Sequence, residues 1–86
     1  MDQKQVIRQI TEVKNRHETE LFERANVVGV GVGYKEIKHK LTDQLALIVS
    51  VTKKKALSEL AVEDVVPAEL NGVLTDVQEV GQLKAF

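Results

Sequence analysis

Between Val28 and Tyr34 the chain alternates apolar residues with glycine: Val28-Gly29-Val30-Gly31-Val32-Gly33-Tyr34. A period of two belongs to a β-strand, whose side chains point to opposite faces in turn. A strand written this way has one apolar face and one bare face. The apolar face needs a cover from elsewhere in the chain. The bare face lets another backbone or a helix approach closely. With 86 residues there is room for one domain and one core. The aromatics are only Phe22, Tyr34 and Phe86, so that core must be built from Val, Leu, Ile and Ala.

The cover is written upstream. Asp2 to Arg24 contains no Gly or Pro and is rich in Gln, Glu, Lys and Arg, residues that lose little freedom in a helix. Asp2 is placed to cap it. Val6, Ile10, Val13, His17 and Leu21 recur at helical spacing and form one stripe, with Ile7 and Phe22 on its margins. Glu12–Arg16 and Glu20–Arg24 stand in the favourable order for pairs four residues apart. Such a helix is about 34 Å long, more than a small sheet covers, so its first turns are expected to project. The stripe is also narrow, like a two-stranded seam. This makes Val6, Ile10 and Val13 candidates for self-association.

Downstream, Glu36 to Gln44 is polar and holds a turn, at Lys38-His39-Lys40 or at Thr42-Asp43. Leu45 to Thr52 reads as a second strand, apolar on both faces at its start, and pairs with the first as an antiparallel hairpin. Lys53-Lys54-Lys55 closes it. Ala56 to Val66 has a loose helical pattern that Ser58 would cap. Pro67 interrupts, Asn71-Gly72 is a turn signal, and Val73 to Val80 reads as a third strand whose neighbour is left open. The expected fold is α+β, a long N-terminal helix on a small three-stranded sheet in the order α-β-β-short α-β. It forms one domain over 1–86: helix over 1–25, sheet and short helix over 26–81, tail over 82–86.

The composition excludes several functions. A net charge of −1 with 29% charged residues points neither to disorder nor to a general nucleic-acid binder. There is no cysteine, hence no disulfide framework and no thiolate chemistry. Leu45 to Val49, the longest apolar run, is far short of a membrane span. The N-terminus lacks the apolar region of a secretory signal, so a cytoplasmic protein is expected.

The glycines do not make a nucleotide loop. A dinucleotide loop needs a further glycine and a helix after the strand, whereas here Tyr34 follows and the strand continues. His17 lies on the helix stripe and His39 in a lysine-rich turn, and two histidines without cysteine do not suggest zinc. Ser50 is within a strand, Ser58 is a helix cap, and no nucleophile elbow is present. None of the 13 acids sits in an apolar context that would mark it as a catalytic acid or base. Lys35, Lys38, His39, Lys40 and Lys53 to Lys55 read as a solvated rim that blunts edge pairing. No cofactor or metal is expected.

The run Asn26-Val27-Val28-Gly29-Val30-Gly31-Val32-Gly33-Tyr34-Lys35 resembles the opening of a small domain that precedes the peptidase domain in bacterial trypsin-like serine peptidases and in their plant relatives. The similarity continues through Thr42-Asp43, the Leu45–Val51 strand with its lysines, and Leu57 to Leu60. It takes in Val66-Pro67, Asn71-Gly72-Val73 and Thr75-Asp76-Val77, and ends at Val80-Gly81. It thus spans roughly Leu21 to Gly81. In that family the catalytic residues lie in the peptidase domain downstream, so no catalytic role carries over to any matching position. The resemblance implies a non-catalytic pro- or regulatory domain that packs on a serine peptidase, with Gly29, Gly31 and Gly33 or the tail residue Phe86 at the contact. The alternative is a stand-alone, phage-type interaction or assembly module that self-associates through its helix.

Overall fold

The computed structural model describes residues 2–81; the candidate contact residue Phe86 lies outside them. Helix α1 spans Gln3–Phe22. Strands β1 (Val27–Ile37) and β2 (Lys40–Val51) follow. Two 3-10 turns come next, at Leu57–Glu59 and Val62–Asp64. Then come β3 (Glu69–Leu70) and β4 (Val73–Glu79). The fold is α+β, one helix on one sheet. The sheet has four strands in the order β1-β2-β4-β3 rather than three. The extra strand is short, and it pairs with β4 across a two-residue turn at Asn71-Gly72, both with positive φ.

Asp2 begins α1 with a reciprocal cap: its side chain accepts from the Gln5 N–H at 2.9 Å, and the Gln5 side chain accepts from the Asp2 N–H at 3.2 Å. The pair satisfies donors that the first turn leaves free. At the other end Arg24 Nη1 donates to the Glu20 carbonyl (2.9 Å) and its Nε to the Val65 carbonyl (3.3 Å), tying the helix end to the crossover. The apolar stripe closes the chain's own core instead of forming a seam for a second helix. Ile10, Val13 and Leu21 are buried, and Val6 packs against their cluster. The first turn does not project free either, since Gln3 Nε2 donates to the Tyr34 hydroxyl at 3.1 Å.

The hairpin turns at Lys38-His39, both in the left-handed region (φ 51° and 64°), as a two-residue hairpin turn requires. In the β1–β2 ladder Val30 faces Val49 and Val32 faces Leu47, while Gly31 faces Ile48 and Gly33 faces Ala46. Leu47, Val49 and Val51 therefore meet α1, with Val73 and Val77 of β4 alongside. Thr75 is buried in the same row, and its hydroxyl donates to the Pro67 carbonyl.

β4 pairs with β2 in parallel, Leu47 opposite Thr75 through Val51 opposite Glu79. Parallel pairing needs a long crossover, which the segment 52–72 supplies. The helix expected over Ala56 to Val66 is replaced there by the two 3-10 turns. The stretch closes two separate three-residue turns, Glu59 N–H to the Ala56 carbonyl and Asp64 N–H to the Ala61 carbonyl, both at 2.9 Å, and its end is tied to α1. The Val65 carbonyl accepts from Arg24, and Asp64 Oδ1 accepts from the Ala25 N–H at 2.9 Å.

Candidate functional site

The face of the sheet away from α1 carries Gly29, Gly31 and Gly33 on β1, with Ala46, Ile48 and Ser50 beside them on β2. Among the described residues no helix covers it, yet Ala46 is fully buried and Ile48 is only 9% exposed. The cover is the hairpin itself. Ile48 sits between Gly31 on one side and Asp76 on the other. In a flat sheet Glu36 would lie about 17 Å beyond Gly31 along β1. Instead Asp76 Oδ2 accepts from the Glu36 N–H at 2.8 Å, and Gln78 Nε2 donates to the Tyr34 carbonyl at 3.0 Å. Gln78 Nε2 also donates to Asp76 Oδ2 at 3.0 Å, joining the two side chains. The far half of the hairpin is thus rolled back over the open face and held there by two side chains of β4. A break in the ladder register between Tyr34 and Glu36 marks the bend.

The roll makes a trough. Its floor and walls include Gly31, Gly33, Leu41, Ile48, Ser50 and Gln78, and its volume is about 450 Å³. The three glycines are not equivalent within it. At Gly33 an added Cβ would come within 3.0 Å of Ile48 Cγ1, so the Ile48 side chain would have to give by a few tenths of an ångström to admit it. At Gly29 the nearest atom, Ser50 Cβ, lies at an ordinary 3.5 Å. At Gly31 an added Cβ would meet nothing within 4 Å. Leu41 stands at the rim, 69% exposed.

The same roll relocates the basic residues. Lys38 and His39 at the hairpin tip and Lys54 beyond the far end of β2 line one cavity of about 380 Å³, together with Glu36 and Glu79. Both signs of charge meet there, and Glu79 Oε1 accepts from the Lys54 N–H at 2.8 Å. His17 is held between Glu20 (Nδ1 to Oε1, 3.0 Å) and Asn71 (Nε2 to Nδ2, 3.1 Å), and the tautomer with its proton on Nδ1 satisfies both contacts. Among the described residues no group of three or more His, Asp or Glu is placed to hold a metal ion. No helix among them is long and apolar enough to cross a membrane.

The residues expected at a contact thus divide. Ile10 and Val13 lie in the core, and Val6 is half-buried beside them. Gly29, Gly31 and Gly33 line the trough. Of the two side chains that shape it, Asp76 is marked in the sequence only as part of the Thr75-Asp76-Val77 resemblance, and Gln78 only by its place in the strand. No protein-family model matches this chain, and no curated protein matches it.

Proposed function

We propose that this chain is a non-catalytic accessory domain that binds protein through the trough on the open face of its hairpin, and that its partner is a trypsin-like serine peptidase domain. Gly31 carries the reading. Glycine in a strand interior is less favourable than alanine by about 0.5–1 kcal/mol. Gly33 is accounted for by Ile48, but no atom of the described residues lies within 4 Å of where a Gly31 Cβ would stand. A backbone or flat side chain of a partner fits there, over Ile48 and beside the polar groups of Ser50 and Gln78. The class of partner comes from the resemblance of Asn26–Lys35 to the segment preceding trypsin-like peptidase domains, since that run includes most of this strand.

The test is an NMR titration of the isotope-labelled chain with a bacterial trypsin-like peptidase domain whose catalytic serine is replaced by alanine. Shifts are expected at Gly29, Gly31, Gly33 and Ile48, and Gly31→Arg should abolish them. An unchanged spectrum at molar excess of the peptidase, or shifts indifferent to Gly31→Arg, would sink the reading. Self-association is the second reading, and a separate feature favours it: among the described residues β1 is an edge strand with no neighbour on its outer side.

A further inference from the structure

We infer that two copies of this chain pair β1 with β1, antiparallel about a two-fold axis through Gly31, joining two four-stranded sheets into one continuous sheet. This goes beyond the proposed peptidase contact, because it uses the edge of β1 and not the trough on its face.

Among the described residues, the backbone N–H and C=O groups of Val28–Gly33 make no hydrogen bond to any side chain and none to backbone outside the ladder with β2. Every second residue of an edge strand points these groups outward, ready to pair with another strand. Natural edges are usually blunted by charge, by proline or by shortness. The opposite edge of this sheet has all three: β3 is two residues long, follows Pro67 and exposes Glu69. Between the two breaks in the β1 register, one at Val27/Gly29 and one at Tyr34/Glu36, the edge from Gly29 to Gly33 has neither charge nor proline.

The occupant is named by the sequence of the edge itself. Gly29-Val30-Gly31-Val32-Gly33 reads the same in both directions. Antiparallel pairing centred on Gly31 therefore sets Val30 against Val32 of the second copy, Gly29 against Gly33, and Val28 against Tyr34. Valine meets valine on the helix side and glycine meets glycine on the open side, so the two faces of the joined sheet stay in register. Residues equally spaced from Gly31 point their backbone groups the same way, so hydrogen-bonding pattern and side-chain register agree. No like charges meet along this stretch. Val28, Val32 and Tyr34, now 38%, 37% and 40% exposed, gain cross-strand neighbours of the kind that stabilise sheets. A two-fold pairing uses each β1 edge once, and the blunted β3 edges leave the assembly closed as a dimer.

Sedimentation of the full chain from about 10 µM to about 500 µM, where mass action reveals association, should show a species of twice 9.6 kDa. Val32→Lys places a charge on the edge at a half-exposed position and should leave a folded monomer across that range. Engineered cysteines then read the register, since the chain has none of its own. Facing residues of paired strands lie about 4.5–5.5 Å apart at Cα, inside the range of about 4.4–6.8 Å for a disulfide. Gly31→Cys should therefore cross-link to itself under mild oxidation. Val28→Cys should not, because the two copies of Val28 lie about 20 Å apart along the paired strands. A wild-type monomer at the highest concentration, a folded Val32→Lys variant that still dimerises, or Val28→Cys cross-linking as fast as Gly31→Cys would each overturn the inference. Should Val32→Lys fail to fold, the cysteine pair decides.

Discussion

The two faces of the β1–β2 hairpin are made from alternate residues of the same strands, yet they are closed by different means. On one side Leu47, Val49 and Val51 meet α1, an element with its own caps that buries Ile10, Val13 and Leu21 against them. On the other side Ala46 and Ile48 are buried by the hairpin's own far half, held by Asp76 and Gln78. The first closure is apolar and spread over many contacts. The second hangs on two polar side chains and on the absence of a side chain at Gly33. A face closed by a helix is complete; a face closed by a roll keeps an opening.

Substitutions can test that contrast. Leu47 is fully buried beneath α1, so Leu47→Ala should cost about 2–5 kcal/mol by lost burial and cavity formation. Against a total stability of about 5–15 kcal/mol for a domain of this kind, denaturant titration should show a large fall in the unfolding midpoint. On the other face Asp76→Ala removes a charged acceptor from the Glu36 N–H, at a cost of about 1.5–3 kcal/mol. Amide exchange at Glu36 should accelerate strongly while that of Val49 rises only by the global loss of stability. If both change equally, the roll and the helix-covered core form one unit and the contrast between the faces fails.

Gly33→Val pushes a side chain against Ile48 and should cost about 1–3 kcal/mol as overpacking, read from the same denaturant midpoint. Gly31→Val meets open space at its Cβ and should raise stability by about 0.5–1 kcal/mol, the cost of a glycine within a strand. Any loss should appear instead in the binding titration. Equal losses of stability at the two glycines would show that the chain fills the trough itself.

Much of the fold is legible in the residues because it is local. Asp2, the stripe from Val6 to Leu21 and the switch of period after Asn26 place the helix and the first strand. Asn71-Gly72 places the last turn. What is not legible depends on residues distant in sequence. Lys38-His39 carries no glycine to mark a left-handed turn, so the alternative at Thr42-Asp43 could not be set aside from pattern alone. β3 is too short to show a period. The loose helical pattern over Ala56 to Val66 gives way to two 3-10 turns in a segment that Arg24 and Ala25 tie to the end of α1. The stripe on α1 cannot say whether its partner is the same chain or another, since a core and a seam use the same residues. At the candidate site the glycines are plain in the sequence. The roll that makes them a trough rests on bonds from β4 to β1 across β2, which no local pattern encodes.

The parallel pairing of β2 with β4 also sets an order of events as the chain folds. The β1–β2 hairpin, joined by two residues, closes on the scale of about 1–10 µs typical of hairpins. β4 must wait for the crossover 52–72 to span the sheet, and such distant pairings form late. Asp76 and Gln78 arrive with it. For that interval the hairpin has its glycine strand but nothing to roll it, and the apolar edge from Val28 to Gly33 is at its most available to a wrong strand. The rate at which β4 docks, more than the stability of the finished fold, then governs how much of a concentrated preparation refolds without aggregating.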